Sequence, residues 1–463
     1  MGSPTSHGGQ IITGKPRVLL GVATFTAPVV DFAKAGALNS QGHLTPEAEQ
    51  ALNKDPFGFV EWAKAKGALV DEGLTAQAAG AISEEACSAE ISQLMEGSYL
   101  NAATNVAKLR DLYQLFSTDT VTAENHRIRV YVSGVGTKSG KEDDAWAMGT
   151  GMGERGILTK IMLGCQNLAD EIYKGAGTRI DNLVLDIFGF SRGTATARHF
   201  VNEVQDGVGG ALGQAFQEQG IAWPKNVTIR FLGLFDTVAA VVDVRSGDFS
   251  LNSLREPGGR LPGHFDEWVL PGAHSDIGGG YPENFHEHIQ IVQPRKFLGH
   301  HPKESYEHAR VLMERRQMIN QGWLGPNNPE ATLTVEEAYR RRLKEGEVEL
   351  QFQLWLDRRV QTEYSRVALR QMYRLAKDAG MPFDTLNPAL EKYALLDELQ
   401  PIATQITHHI NEDQPLQLSI QEEALLRQRY IHHSAHYQTA GPLFPFKPAP
   451  GSVRRVYPNR GLA

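Results

Sequence analysis

Short apolar runs rich in β-branched and aromatic residues punctuate the first two thirds of the chain. Such runs predict buried strands at residues 17–22, 128–132, 183–190 and 227–235, with a short fifth at 267–270. Between them, apolar residues recur at helical spacing: Val106, Leu109, Leu112, Tyr113 and Phe116, then Leu158, Ile161, Cys165, Leu168 and Ile172, then Ala197, Phe200, Val201 and Val204. Each set predicts a helix with one core-facing stripe. Later, Ala368, Met372, Leu375 and Ala379 align over 365–379, with Gly380 as the stop. Strands that alternate with helices predict an α/β fold with a mainly parallel sheet. Its polar motifs follow the carboxyl ends of the strands, where such sheets place their sites.

The remaining stretches set the expected organisation. Residues 1–15 are Gly- and Ser-rich and predict a disordered amino terminus. The α/β core is expected over 16–282, with a helical insertion at about 30–97. Residues 283–355 carry Glu314-Arg315-Arg316 and Arg340-Arg341-Arg342 and read as solvated helix face or loop, a charged insertion or lid. Residues 356–463 are expected to be helical and to complete the core domain, with a polar helical stretch at 390–423. A proline-rich tail at 441–450 is expected to wrap the surface. No internal repeat is visible.

Composition narrows the function classes. In 463 residues, 41% are hydrophobic and 22% charged, which suits a soluble chain with a sizeable core. The net charge of −8 argues against a broad nucleic-acid surface. Two cysteines, Cys87 and Cys165, form neither a disulfide framework nor a metal cluster, and Cys165 falls on a helix stripe as a small core residue. The start, Met1-Gly2-Ser3-Pro4, has no basic, apolar secretory signal, and no run of about eighteen apolar residues predicts a spanning helix. The expectation is a protein made in the cytoplasm, whose export needs a route without such a signal.

The chemistry centres on Gly189-Phe190-Ser191-Arg192-Gly193. A buried strand before it and a helix directly after it are the setting of a nucleophile elbow, where a strained turn lifts the serine Oγ above the sheet edge. The plainer reading is a glycine-rich turn with a helix-capping serine. A serine hydroxyl needs a base, and the base needs an orienting acid. Asp236 ends the next apolar strand, and His274 follows the strand after that, giving the order Ser, Asp, His. Asp236 could equally be a turn former or cap. His274 with Asp276, or His286 with His288, could be neighbours in a metal site. His432, His433 and His436 compete as a source of the base. Asp186, inside the elbow strand, reads as a buried hydrogen-bonding residue. Residues 151–156 match Gly-x-Gly-x-x-Gly and precede a helix. No strand comes before them, so a loop over the site fits better than a dinucleotide cradle.

Several motifs together resemble one family. They are Ser98-Tyr99 with Thr104-Asn105-Val106, Gly134-Val135-Gly136-Thr137, the elbow with Arg192, Phe235-Asp236-Thr237-Val238 and His274-Ser275-Asp276-Ile277-Gly278-Gly279-Gly280-Tyr281. Tyr364 to Leu369 and Tyr430 to Ser434 are similar too. The set is similar to the Gly-x-Ser-x-Gly type VI secretion lipase effectors, over roughly residues 98–460. The resemblance implies an α/β-hydrolase-like fold and a serine lipase, of phospholipase A type, that hydrolyses acyl esters of membrane phospholipids without metal or cofactor. It carries the nucleophile onto Ser191, the acid onto Asp236, the base onto His274 and one oxyanion donor onto the Arg192 amide. The family's Phe-Asp-Gly-Thr after the first strand is replaced by Ala23-Thr24-Phe25-Thr26, so the second donor falls to an amide near Ala23 or Thr24. The implied role is an antibacterial toxin delivered to the periplasm or membrane of a target bacterium. Its implied partners are phospholipids, a secretion spike component and a cognate immunity protein, with no nucleic acid. A soluble carboxylesterase or acyltransferase with the same residues, or a non-catalytic interaction module on a hydrolase shell, are the alternative readings.

Overall fold

Strands buried on both faces need helices on both sides of their sheet, and the structure, a computed structural model, has that layering. It describes residues 8–14, 103–115, 126–132, 157–237, 251–256, 259–343, 346–437, 448 and 456–457. Outside them lie the expected strand at 17–22, Ala23, Thr24, the insertion at 30–97, Cys87, the motifs at 98–99 and 134–137, the glycine run at 151–156 and nearly all of the proline-rich tail.

In chain order the first elements are Gly8–Gly14 (β1), Asn105–Leu112 (α1), Ile157–Ala176 (α2), Asn182–Ser191 (β2), Arg192–Gln205 (α3) and Ala211–Glu218 (α4). Next come Asn226–Thr237 (β3), Leu251–Asn252 (β4), Phe265–Pro271 (β5), His274–Gly278 (α5), Phe285–Gln290 (β6), Lys296–Gly299 (β7) and Tyr306–Asn320 (α6). The chain continues with Thr332–Arg342 (β8), Val348–Val360 (β9), Ser365–Asp378 (α7), Gln400–Glu412 (α8), Ile420–Leu425 (α9) and Val456–Tyr457 (β10), the last paired with β4.

The first sheet has the order β2-β3-β1-β5. β2 and β3 are parallel, whereas β1 is antiparallel to both β3 and β5. The expected mainly parallel sheet is therefore mixed. Within the stretch 1–15, expected to be disordered, Gly8–Gly14 supplies the inserted strand, and the remaining residues lie outside the described ones. The β-branched Ile11-Ile12-Thr13 suits a pleated strand, and ladders on both edges satisfy its backbone groups. Since β1 is reversed, β2, β3 and β5 still run the same way and end at one edge.

Along β3, Phe231 and Phe235 face a core with Leu109 of α1, Met372 of α7 and Ile402 of α8. Leu232 and Leu234 face the opposite core, with Cys165 and Leu168 of α2, Phe200 of α3 and Phe216 of α4. Cys165 is fully buried there, and burial pushes its thiol up. The expected strand at 128–132 pairs with no strand among the described residues. Val130 and Val132 are nonetheless buried in the second core, so the apolar pattern there marks burial and not a ladder. The helix expected over 365–379 is α7, and Gly380 follows it at φ +86°. Among the described residues no helix is long and apolar enough to cross a membrane.

In the charged region 283–355, Arg315 and Arg316 lie on the exposed face of the helix α6, as expected, but much of the rest is strand. It folds as an antiparallel sheet in which β9 pairs with β6 and β7 on one side and with β8 on the other. α6 covers it through Val311 and Met318. Along β9, Val348, Leu350, Phe352, Leu354 and Leu356 alternate inward, so charged residues at the outward positions mask a period-two strand. The expected boundary at 355/356 falls inside this strand.

Arg358 takes an inward position on β9 and is fully buried. Its Nε donates to Glu287 Oε2 at 2.6 Å, and its Nη atoms donate to the carbonyls of Arg427 (2.8 Å) and Ile431 (2.7 Å). Burial alone would raise the Glu287 carboxyl, but Arg358, with His432 and His433, holds it below its ordinary value. Arg358→Ala strands this carboxylate and is expected to cost about 3–5 kcal/mol in chemical denaturation. A carboxyl depressed in the folded state stabilises above its unfolded pKa and loses that contribution as pH falls through the folded pKa. The deficit of the variant against the wild type should therefore shrink below about pH 4.

Candidate active site

β2 ends at Ser191, whose φ of 60° and ψ of −130° lie outside the ordinary regions for a residue with a side chain. Such a backbone costs about 1–3 kcal/mol and persists only where its surroundings enforce it. Here α3 starts at the next residue and folds straight back onto the strand. A Cβ on Gly189 would lie 2.6 Å from Thr194 Cα and 2.7 Å from the Gly193 carbonyl oxygen. Thr194 Oγ1 donates to the Phe235 carbonyl at 3.1 Å, tying the turn to β3. Ser191 makes no capping hydrogen bond to α3, so the helix-cap reading does not describe it.

The two glycines of the motif differ in kind. Gly189 has no room for a methyl group, whereas a Cβ on Gly193 meets nothing within 4 Å. Gly189→Ala is expected to destabilise by about 1–3 kcal/mol through overpacking. Gly193→Ala, inside α3, should leave stability unchanged or raise it by about 0.5–1 kcal/mol. Thermal melting of the two single variants checks both.

The residue expected to be the acid, Asp236, lies on the neighbouring strand. In the β2–β3 ladder Phe190 lies opposite Phe235 and Ser191 opposite Thr237, with an irregularity between them that leaves Asp236 out of register. Asp236 has φ 40° and a fully buried side chain. Its Oδ2 lies 2.5 Å from Nδ1 of His274, the first residue of α5, just past β5. The His274 side chain is 19% exposed, so the pair has a buried end and an open end. Phe190 stacks on the His274 ring with centroids 4.5 Å apart, and a Cβ on Gly278 would overlap the Phe190 ring. The elbow, Asp236 and His274 thus meet at the shared edge of β2, β3 and β5. With the Nδ1 proton donated to a carboxylate, Nε2 becomes the proton-accepting nitrogen. These parts allow attack by a hydroxyl, proton transfer and stabilisation of the resulting imidazolium.

The competing residues have other duties. Asp276 bonds to His432 and not to a metal cluster. His286 and His288 share the exposed carboxylate of Asp357, and among the described residues no group of His, Cys, Asp and Glu is arranged to hold a metal ion. His433 donates its backbone N–H to Glu287, and burial pulls His436 down to about 4. Asp186 is buried and bridged by Arg230 at 2.5 Å, as its hydrogen-bonding reading expects. Arg192 opens α3 beside Ser191, and burial draws its guanidinium down to about 10, so it stays cationic at neutral pH. Two features were not foreseen: the Phe190–His274 stack and the Asp276–His432 pair. Both partners of the pair lie in noted motifs, but nothing local joins residues 156 positions apart.

The sequence matches no protein-family model and no curated protein. The fold does have a counterpart, a solved structure of the Tle1 effector bound to the VgrG spike from the Type 6 secretion system. The two align with a TM-score of 0.58 over 96% of this chain and 94% of that one, at 19% sequence identity. This chain shares the fold of that effector. The likeness spans almost the whole of both chains, so it takes in the antiparallel sheet as well as the layer that carries Ser191.

Proposed function

We propose that this protein is a serine lipase of phospholipase A type that hydrolyses acyl esters of membrane phospholipids. Ser191 Oγ attacks the ester carbonyl while His274 Nε2 takes its proton and Asp236 holds the imidazole. The Arg192 amide stabilises the tetrahedral oxyanion from the start of α3, and an amide near Ala23 or Thr24 is the second donor. His274 returns the proton to the leaving alcohol, and water, activated by the same imidazole, releases the fatty acid and restores Ser191. The observation that carries the reading is the 2.5 Å contact between His274 and buried Asp236 at the strand edge shared with the strained Ser191.

The shared fold with an effector seated on a secretion spike supports the wider role: an antibacterial toxin delivered by type VI secretion to the periplasm or membrane of a target cell. A spike component and a cognate immunity protein are the protein partners this role requires. Assaying liposomes and short soluble esters side by side tests the substrate class. Turnover is expected to be faster on liposomes; hydrolysis confined to soluble esters would remove the phospholipase reading and leave an esterase.

A further inference from the structure

A second histidine–aspartate pair lies next to the first. Asp276 is two residues past His274, in a helix of five residues that its own hydrogen bonds are too few to hold. Its carboxylate accepts three donors: the N–H of Ala273 at 2.7 Å, and from His432 the backbone N–H at 3.0 Å and Nδ1–H at 2.6 Å. Both side chains are 1% exposed. Ala273 immediately precedes His274, so one carboxylate fixes the backbone from which His274 projects and ties it to the carboxyl-terminal segment.

That segment is itself held. The His432 ring stacks on Tyr281 at 3.6 Å, and the next residue, His433, donates its N–H to Glu287 at 2.6 Å. Glu287 is the partner of Arg358. A continuous line of contacts therefore runs from α5 through Asp276, His432, His433 and Glu287 to Arg358 in the second sheet. Among the described residues, His432 Nε2 is buried without a hydrogen-bond partner. The contact the ring does make uses its Nδ1–H as a donor to Asp276.

We infer that Asp276 and His432 are positioning residues for His274, setting the imidazole through the Ala273 backbone. The inference rests on His274 being the base for Ser191. It separates asparagine from glutamine at position 432. An asparagine amide nitrogen falls where Nδ1 lies and keeps the bond to Asp276, whereas a glutamine amide nitrogen falls where Nε2 lies and loses it.

The test measures how fast a fluorophosphonate probe labels Ser191 in the full-length protein, well below the melting temperature. In that reaction Oγ forms a bond to phosphorus, fluoride leaves and His274 takes the hydroxyl proton. His432→Gln and His432→Leu are expected to label about 10²-fold more slowly, the size expected for a misplaced catalytic group, with His432→Asn close to wild type. On a soluble ester the loss should fall on kcat and leave KM unchanged. A simple packing role would lower the melting temperature of all three variants without separating asparagine from glutamine. If His432→Leu does not fold, the asparagine and glutamine variants alone decide. Equal labelling of wild type, His432→Asn and His432→Gln overturns the inference and leaves the proposed function standing. A wild type whose Ser191 is not labelled overturns both.

Discussion

Ser191→Ala is expected to lower ester hydrolysis by about 10⁶-fold, the loss seen when a serine hydrolase loses its nucleophile. The large figure follows from the geometry. Ser191 carries the hydroxyl where β2 turns into α3, and the proposed path forms the acyl intermediate on it. Stability should barely change. The hydroxyl caps no helix, and alanine carries the same backbone strain at φ 60°. Turnover of a soluble ester and a thermal melt on the same preparation check both halves. An inactive variant that also melts early would mean that the turn, and not the hydroxyl, had been lost.

Asp236→Asn is the second large effect, with kcat expected to fall by about 10⁴-fold. Asp236 is fully buried and accepts from His274 Nδ1. An asparagine can turn an N–H toward that nitrogen, which forces the proton onto Nε2 and removes the base while leaving the shape intact. The carboxylate is fully buried, out of reach of a substrate, so KM should hold. Asp276→Asn serves as the contrast: it disturbs positioning and should cost far less. If Asp276→Asn were the more damaging of the two while still folded, the assignment of Asp236 as the partner of the base would be contradicted.

The edge that gathers Ser191, Asp236 and His274 was readable because each follows an apolar run. A strand buried on both faces has to end at the surface, and the chain order put those ends in sequence. β1 was hidden by its own composition: glycines at Gly8, Gly9 and Gly14 suggest a flexible tail, and only pairing with β3 and β5 makes it a strand. The second sheet was hidden by charge. Glu336 on β8 and Arg359 on β9 are exposed while Leu333 and Leu356 are buried, so a count of charges over the region outweighs the alternation that matters. Asp276 and His432 illustrate a third kind of gap. Each lies in a recognisable motif, yet what they do depends on a contact that no periodicity encodes.

Mass spectrometry of products from a defined phospholipid with two different acyl chains, run with wild type beside Ser191→Ala, tests the central claim most directly. The account predicts lysophospholipid and free fatty acid from the wild type alone, with the released chain identifying the acyl position. Intact phospholipid after incubation with folded wild type, or the same lysophospholipid from Ser191→Ala, would contradict it.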